Sequence, residues 1–432
     1  MSRTTGKVAI LGGNRIPFAR SNKEYSGASN QDMLTAAIDG LVARYGLQGE
    51  ELGLVVAGAV IKHSRDFNLT RECVLGSALS STTPAYDVQH ACATGLSAAV
   101  QVADAIRAGR VQAGLAGGTD TTFDAPLVLG DSLRRTLLKA FAAKKPMDRA
   151  KLLGQIRPKQ LMPESPRNSE PRTGLSMGEH AAITAREMGI TRQAQDELAA
   201  QSHQNLAAAY EAGFFSDLIT PFLGVQRDTN LRPDSNVEVL SKLKPVFGKR
   251  DAEQHGAQAT MAAGNSSPLT DGASVALLAS DEWAQSHNIP VRAYLVDSET
   301  ASVDFVHGGD GLLMSPTYAV PRLLQRNGLT LQDFDYYEIH EAFASQVLAT
   351  LAAWESDEYC RERLGLEQAL GPIDRSKLNV KGSSLAAGHP FAATGGRILA
   401  TAAKTLEENG GGRTLVSICA AGGQGVVAIL ER

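Results

Sequence analysis

Three side chains in this sequence are suited to bond-making chemistry and stand where the backbone leaves room for a ligand. His389 lies in a turn between a glycine and a proline, and Cys419 is followed by Ala-Ala-Gly-Gly. Much earlier, Cys92 comes after a strand-like run and before an apolar helical pattern. A thiolate beside a helix amino end is a strong nucleophile, and histidine is the usual general base near neutral pH. Together these residues indicate carbon–sulfur or carbon–carbon bond chemistry.

Each of these residues also has an ordinary structural interpretation, and the local sequence does not decide between the two. Cys92 followed by Ala-Thr-Gly is equally compatible with a packed thiol, and Cys419 with a thiol buried in a strand. His389 could instead cap a surface turn, although Gly388 permits close approach. His90 is interpreted as structural, because its position two residues before Cys92 on a strand does not ensure contact with the thiol.

Another histidine, His340, follows the apolar run Tyr336–Ile339 and precedes Glu341. Strand ends are where open α/β sheets usually carry reactive side chains. The pair is not the H-E-x-x-H zinc motif, because the second histidine is missing, and no metal site is predicted. The glycines after Cys419 lead into a strand rather than a helix, which excludes a dinucleotide fingerprint, and no P-loop motif occurs.

The composition indicates a large globular chain whose net charge does not point to a particular class of partner. The 432 residues are 43 % hydrophobic, ample for a large core, and the formal net charge of −4 argues against general nucleic-acid binding. The start of the chain lacks a signal-peptide core, and no run approaches the roughly 18 apolar residues of a spanning helix. The widely spaced cysteines form no C-x-x-C pair and favour a reducing cytoplasm: Cys73, Cys92, Cys360 and Cys419.

Short apolar runs alternate with helical patterns, which predicts an α/β fold. After Cys92, apolar residues recur at three- and four-residue steps from Leu96 to Ile106, so a helix is predicted that ends at the Ala108-Gly109 turn. The predicted buried strands are Val8–Leu11, Leu54–Val60, Ala113–Ala116, Val275–Ala279, Ala293–Val296, Tyr336–Ile339, Leu415–Ile418 and Val426–Leu430.

The stretch from about Ala125 to Arg250 is interpreted as an insertion. It is rich in proline and in long polar connections, around two helical patterns near Gly178–Met188 and Arg192–Ala212. Within it, Asp131–Lys159 carries nine lysines and arginines against two aspartates. Such a run indicates either a solvated helix face or a surface for phosphates, membrane headgroups or a partner subunit.

Five segments spread over nearly the whole chain together resemble the thiolase family. They are the Cys92 turn, the sequence AGNSSPLTDGA at 263–273, His-Glu-Ala-Phe at 340–343, Gly-His-Pro at 388–390, and Cys419 with its glycines. The resemblance implies two similar α/β halves, residues 1–282 and 283–432, in a five-layered αβαβα core with a loop domain inserted at about 125–250. A weak internal echo agrees, because turn, small-residue helix and strand follow in the same order after Cys92 and after His389.

The resemblance implies a catalytic role for each candidate. Cys92 would attack the 3-keto carbon of a 3-ketoacyl-coenzyme A and hold the acyl group as a thioester, with His389 activating the thiol. Cys419 would protonate the departing acetyl-CoA carbanion, or remove that proton in the condensing direction. Splitting the reaction through a covalent intermediate replaces one difficult barrier with two lower ones.

Binding groups follow from the same family pattern. The N–H groups of Cys92 and Ala421 would hold the thioester oxyanion, and the enolate oxygen would lie near His389 and a water held by His340. Met177 and Ser267 would contact the pantetheine arm. Because CoA is itself a substrate, no cofactor is expected.

Many thiolases have asparagine where this chain has His340, and the His-Glu-Ala-Phe form resembles the branch that includes the β subunit of trifunctional fatty-acid-oxidation complexes. This implies a 3-ketoacyl-CoA thiolase of β-oxidation that takes longer or broader acyl chains. It also implies a homodimer or homotetramer, and a partner subunit with hydratase and dehydrogenase activities. Ser176, Ala392 and Ala421 depart from the usual family residues, which affects the acyl pocket rather than the reaction class.

Three other functions are weighed against this one. An acetyl-CoA C-acetyltransferase would make or cleave acetoacetyl-CoA with the same residues. A decarboxylating ketoacyl synthase also uses a cysteine with two histidines, but Cys419 argues against it, because that reaction removes no α-proton. A non-catalytic acyl-CoA or lipid carrier on the same scaffold is disfavoured by the intact reactive residues.

Overall fold

The computed structural model describes residues 6–432, so the first five residues of the predicted amino-terminal half lie outside the described residues. The strands are β1 (Val8–Arg15), β2 (Ala19–Arg20), β3 (Leu54–Ala57), β4 (Ala85–Asp87), β5 (Ala113–Asp120), β6 (Val128–Leu129), β7 (Pro163–Glu164), β8 (Thr270–Ala279), β9 (Ala293–Ser302), β10 (Tyr336–Ile339), β11 (Arg413–Ala420) and β12 (Gln424–Glu431).

The helices are α1 (Asn30–Tyr45), α2 (Leu69–Gly76), α3 (Thr94–Arg107), α4 (Asp131–Ala142), α5 (Pro146–Leu153), α6 (Met177–Glu187), α7 (Arg192–Glu211), α8 (Val237–Ser241), α9 (Lys249–Gln254), α10 (Asp281–Ser286), α11 (Ser315–Asn327), α12 (Ala344–Glu355), α13 (Asp357–Glu362), α14 (Ser384–Ala387) and α15 (Thr394–Glu408). Each predicted strand corresponds to an observed strand, but the prediction Leu54–Val60 was too long, because β3 ends at Ala57. None of the described helices is long and apolar enough to cross a bilayer.

One large sheet carries both halves of the chain, in the order β10-β11-β12-β9-β1-β8-β5-β3-β4, with β2 paired to β8. The halves join where β1 and β9 run antiparallel, with Val8 opposite Leu295. Parallel pairs lie toward the two ends of this order, β10 with β11 and β3 with both β4 and β5. Cys92 follows the carboxyl end of β4, and His340 follows that of β10.

The two halves of this sheet enclose a central helix layer and are each covered on the outside by further helices, which gives five layers. The two central helices, α3 and α15, pack between strands of the first and second halves through a shared core that includes Leu96 and Ile398. Helices α1 and α2 cover the outer face of the first half, and α11 and α12 that of the second. The layering confirms the predicted αβαβα class, because each sheet face that carries apolar residues is buried by a helix layer.

The amino ends of the central helices touch each other through glycines. A Cβ atom on Gly95 would lie 2.8 Å from the backbone nitrogen of Gly396 and 3.2 Å from the Cα of Gly395. Only residues without side chains allow two helix backbones to approach this closely. Because Cys92 immediately precedes α3 and His389 precedes α15, this contact brings the two catalytic candidates together.

The insertion contains α4 to α9, and the two predicted helical patterns correspond to α6 and α7. A buried ion pair holds the insertion to the core, with Arg15 Nη2 donating to Asp228 Oδ2 at 2.7 Å. The backbone N–H of Phe18 donates to the other carboxylate oxygen at 2.7 Å. The predicted boundary at residue 282 falls inside α10, between the two halves of the sheet, and this division stays a prediction.

Candidate active site

The Cys92 thiol lies in a tight turn between β4 and α3. The sequence analysis placed His90 and Cys92 on a strand, but the strand ends at Asp87 and the residues before α3 form a turn. The reason is local: Ala91 adopts a positive φ of 45°, and the Thr94 hydroxyl accepts from the His90 N–H at 2.8 Å while donating to the Ala91 carbonyl at 2.7 Å. Of the four cysteines, Cys92 is the one that is not fully buried.

His389 is aimed at this thiol by its own turn. Its Nε2 atom lies 3.1 Å from Cys92 Sγ, and its Nδ1 atom lies 2.6 Å from the hydroxyl of Thr394, the first residue of α15. Gly388 has φ of 104°, and a Cβ there would lie 2.5 Å from the Thr270 side chain. That same side chain accepts a hydrogen bond from the His389 N–H at 2.7 Å, so glycine is required for this turn.

His340 completes a cluster of three reactive side chains. Its ring centroid lies 4.2 Å from that of His389, and its backbone N–H donates to the Ser417 carbonyl at 2.8 Å. Ligand-type atoms of Cys92, His340 and His389 all lie within 4.8 Å of one another. A soft metal ion could be held by such a set, but a thiol hydrogen-bonded to an imidazole also suits nucleophilic catalysis. The absence of a metal site stays a prediction.

The second thiol, Cys419, lies within β11 rather than after it, because the strand extends to Ala420. It is 5 % exposed and lines a small cavity with His340, Gln346 and Ser417. Burial raises the pKa of the Cys419 thiol, and the nearby Cys92 raises it further. The four predicted catalytic side chains therefore meet in one place, although their roles stay predictions.

The backbone N–H groups of Ala421 and of Cys92 itself lie near enough to the Cys92 thiol to act against burial and lower its pKa. These are the predicted oxyanion donors. The loop that carries Ala421 is held by Glu170, which accepts from the Gly422 N–H at 2.8 Å. Two fixed N–H groups beside a reacting sulfur form the donor arrangement that stabilises a developing oxyanion.

The two predicted pantetheine contacts lie beside the cluster. Met177 begins α6, and packs against the apolar cluster that contains Cys419. The Ser267 N–H donates to the carbonyl of Ala342, two residues after His340, at 3.0 Å. His90 turns away to the Ser97 hydroxyl, 2.7 Å from its Nδ1 atom, in agreement with its structural interpretation. No described residue tests what Met177 and Ser267 bind.

Burial determines the resting charges of the site. It raises the pKa of Cys92 to about 12, an effect larger than that of the two N–H donors, so the helix amino end does not produce a resting thiolate. Burial, with the charge of Arg397, lowers the pKa of His389 to about 3. At neutral pH the pair is therefore a neutral thiol and a neutral imidazole, and proton transfer must accompany attack on substrate.

Sequence reasoning missed the residues that support the cluster. Glu341, which carried no interpretable signal in sequence, is a fully buried carboxylate that accepts from Ser202 Oγ and Asn379 Nδ2 at 2.7 Å each. Ser384 contacts Nδ1 of His340, and Arg397 donates to the same Ser384 hydroxyl. The available signal for Arg397 was a single charge in the small and apolar first turns of α15, since arginine is rarely buried without a purpose.

Comparison with known proteins places these features in one family. The family model for the thiolase N-terminal domain matches residues 8–282, and that for the thiolase C-terminal domain matches residues 289–432. Proteins named 3-ketoacyl-CoA thiolase from Pectobacterium carotovorum subsp. carotovorum (strain PC1) and Yersinia pestis (strain Pestoides F) are each 39 % identical over 437 residues, covering 100 % of this chain and 98 % of the relative.

Solved structures show the same architecture. Human mitochondrial 3-ketoacyl-CoA thiolase in complex with CoA superimposes with a TM-score of 0.80 at 26 % identity, covering 99 % of this chain and 98 % of that one. The acetyl-CoA acetyltransferase of Bacillus anthracis also gives a TM-score of 0.80, at 27 % identity, with 98 % of each chain covered.

Proposed function

The chain belongs to the thiolase family, and from that membership we propose that it is a 3-ketoacyl-CoA thiolase. It cleaves a 3-ketoacyl-CoA with free CoA, giving acetyl-CoA and an acyl-CoA shortened by two carbons, as a step of fatty acid β-oxidation. One observation carries the proposal: His389 Nε2 lies 3.1 Å from Cys92 Sγ, with the second imidazole, His340, clustered beside this pair and lining a small cavity together with the second thiol, Cys419.

Acylation begins when Cys92 Sγ attacks the 3-keto carbon while its proton passes to His389. The bond between C2 and C3 then breaks, leaving the acyl group on Cys92 and the enolate of acetyl-CoA. Cys419 supplies a proton to C2, so acetyl-CoA leaves as a neutral thioester. An enolate is too basic to form freely in water, and the acid beside it removes that obstacle.

Deacylation returns every proton to its starting place. The Cys419 thiolate takes the proton of the incoming CoA thiol, whose sulfur attacks the acyl thioester. The N–H groups of Cys92 and Ala421 stabilise the oxyanion, and Cys92 leaves as His389 returns its proton. The donors are fixed before reaction, which supports their use at both steps.

A second candidate, acetyl-CoA C-acetyltransferase, is favoured by the equally close superposition on the Bacillus anthracis protein of that name. The two functions differ in the acyl group that Cys92 accepts. The branch resemblance at His340 supports chains longer than four carbons.

A chain-length series tests this choice. We expect kcat/KM for 3-keto substrates of roughly eight to twelve carbons to exceed that for acetoacetyl-CoA, because each buried CH2 group adds about 0.8 kcal/mol of binding. The assay follows loss of the 3-keto enolate absorbance with free CoA. Exclusive use of acetoacetyl-CoA would establish the acetyltransferase instead. A requirement for a malonyl thioester would indicate a synthase, and no turnover at all a carrier.

Assembly and location are further parts of the proposal. We infer a homodimer or homotetramer in the cytoplasm, and a subunit with hydratase and dehydrogenase activities as its partner. Support for the reducing compartment comes from the four cysteines, all unpaired in the described residues. Support for the partner subunit comes from the His-Glu-Ala-Phe sequence at His340.

A surface on the insertion supports contact with an anionic lipid membrane. The segment Asp131–Lys159, here called the basic hairpin, contains α4 and α5 and buries only Leu133 and Ala140 among its helical residues. Large apolar side chains on it point to solvent, with Phe141 74 % and Met147 68 % exposed. Apolar side chains next to clustered cations are the composition that binds anionic lipid headgroups.

Vesicle sedimentation tests the basic hairpin. We expect the wild type to pellet with vesicles of phosphatidylcholine and phosphatidylglycerol, and a triple charge reversal to lose most of that binding while keeping thiolase activity. Unchanged pelleting of the reversed variant would exclude the lipid surface, and loss of co-purifying protein without loss of lipid binding would indicate a partner subunit. The variant carries glutamate at Lys139, Lys144 and Lys151, and its control carries glutamate at Arg227, Lys242 and Lys249.

A further inference from the structure

Three buried side chains from separate parts of the second half form a continuous hydrogen-bonded chain. Arg397 Nη2 lies 2.9 Å from Ser384 Oγ, and the same Ser384 Oγ lies 2.9 Å from Nδ1 of His340. Arg397 also reaches Ser383 Oγ at 3.2 Å. Arg397 is 4 % exposed, Ser384 0 % and His340 1 %, so solvent does not compete for these contacts.

The direction of each hydrogen bond in this chain is fixed by chemistry. Arginine can only donate, so Ser384 Oγ must accept from Arg397. Within the described residues Ser384 Oγ has one other hydrogen-bonding neighbour, His340 Nδ1. If Nδ1 carried the proton, the serine hydroxyl hydrogen would be buried without an acceptor, which is costly. When Ser384 donates instead, its hydroxyl hydrogen has an acceptor, and that acceptor is Nδ1 of His340.

We propose that Arg397 and Ser384 are positioning residues that hold His340 in the tautomer with its proton on Nε2. The Nε2 atom is buried, and has no partner in the described protein. It belongs to a ring that lines the cavity beside Cys419 and whose centroid lies 4.2 Å from that of His389, with the two rings tilted by 49°. Locked as an N–H, it is a preorganised donor for an oxygen on the substrate, directly or through one water.

The surroundings keep Arg397 charged and His340 neutral, as this arrangement requires. Glu338 lies two residues before His340 on the same strand face, and its carboxylate oxygens make no hydrogen bond in the described residues. Burial lowers the pKa of Arg397 to about 10, while Glu338 and Glu341 oppose that change, so the guanidinium stays protonated at neutral pH. Burial, with the charges of His389 and Arg397, lowers the pKa of His340.

The consequence for catalysis rests on the proposed thiolase function. The enolate oxygen of acetyl-CoA carries the negative charge that forms as the carbon–carbon bond breaks. A neutral imidazole that offers only an N–H stabilises this charge and cannot compete with His389 for the Cys92 proton. The hydrogen bonds from Arg397 through Ser384 thus make His340 a hydrogen-bond donor and leave His389 as the base.

The tautomer can be measured in the full-length protein labelled with 15N-histidine, from long-range 1H–15N correlation spectra of the ring. Comparison with His340→Asn assigns the signal. We expect Nε2–H for His340 in the wild type, a gain of the Nδ1–H form in Ser384→Ala, and no change in Ser383→Ala. Ser383 is the matched control, because it also contacts Arg397 but does not touch His340. An Nδ1–H signal in the wild type, or no change in Ser384→Ala, would overturn the proposal.

Kinetics separate positioning from folding and from the proposed function. Ser384→Ala should lower kcat by about 10-fold or more with KM within about twofold, and Ser384→Thr should restore most of it. Equal losses in Ser383→Ala and Ser384→Ala would overturn a role through His340. A protein that turns over no 3-ketoacyl-CoA, yet shows the expected tautomer and its change in Ser384→Ala, would leave this inference standing and remove the thiolase assignment.

Discussion

Replacing Cys92 by serine is expected to abolish acyl-enzyme formation and to lower thiolysis by on the order of 10⁴-fold or more. The hydroxyl would occupy the same turn and face the same Nε2 atom, 3.1 Å from the present sulfur. However, a serine hydroxyl is a much weaker acid than a thiol, and burial lowers the pKa of His389 to about 3. So weak a base cannot activate an alcohol. The measurements are kcat/KM and the intact mass after exposure to substrate.

Cys360→Ser provides the control for this prediction. Cys360 is fully buried and its thiol donates to the Ala353 carbonyl at 3.4 Å, away from the cluster. Its replacement should leave acylation intact. If Cys92→Ser still formed an acyl-enzyme at another residue and turned over, Cys92 would not be the nucleophile.

Cys419→Ser is expected to have a different effect, leaving acylation of Cys92 by an acyl-CoA possible but slowing thiolysis by about 10²- to 10⁴-fold. Attack of Cys92 on an acyl-CoA needs only His389 and the N–H donors, because the CoA thiolate that leaves is a far weaker base than an enolate and needs no acid beside it. Cleavage of the carbon–carbon bond needs an acid beside C2, and a serine at the Cys419 position is a poor substitute. The variant should therefore accumulate acyl-enzyme without completing the cycle.

Exchange of the α-protons of acetyl-CoA with deuterium oxide measures the proton transfer between Cys419 and C2 separately from the other steps. The wild type should exchange them, and Cys419→Ser should not, while both become acylated to the same mass. Wild-type turnover by Cys419→Ser would show that the role assigned to this thiol is wrong.

Much of the fold was predictable because the pattern that forms each element is local. The run Tyr336–Ile339 is a strand with those bounds, and the apolar stripe from Leu96 to Ile106 lies in α3. The small residues at Gly95 and Gly395 also appear in sequence as a repeated Thr-Gly at the start of two helices. Their contact in space was not predictable from sequence alone, because it depends on how the halves pack.

The supporting residues and the charges of the site could not be inferred from the sequence. Whether Cys92 rests as a thiol or a thiolate depends on whether burial raises its pKa more than the N–H donors lower it. The helix amino end after Cys92 in the sequence suggested a thiolate, whereas burial has the larger effect. The hydrogen bond from Arg397 to Ser384 joins the interior of α15 to the first residue of the short helix α14, 13 residues earlier. The positive φ of Ala91 could not be predicted from the sequence, since alanine rarely adopts that conformation.

The central claim is that Cys92 carries the shortened acyl group between two half-reactions. Wild-type protein mixed with 3-ketooctanoyl-CoA in the absence of free CoA, quenched in acid and digested, should yield the Cys92 peptide bearing a hexanoyl thioester. Added CoA should discharge it to hexanoyl-CoA at least as fast as steady-state turnover. A hexanoyl group on any other residue, or one that CoA fails to discharge, would contradict the account.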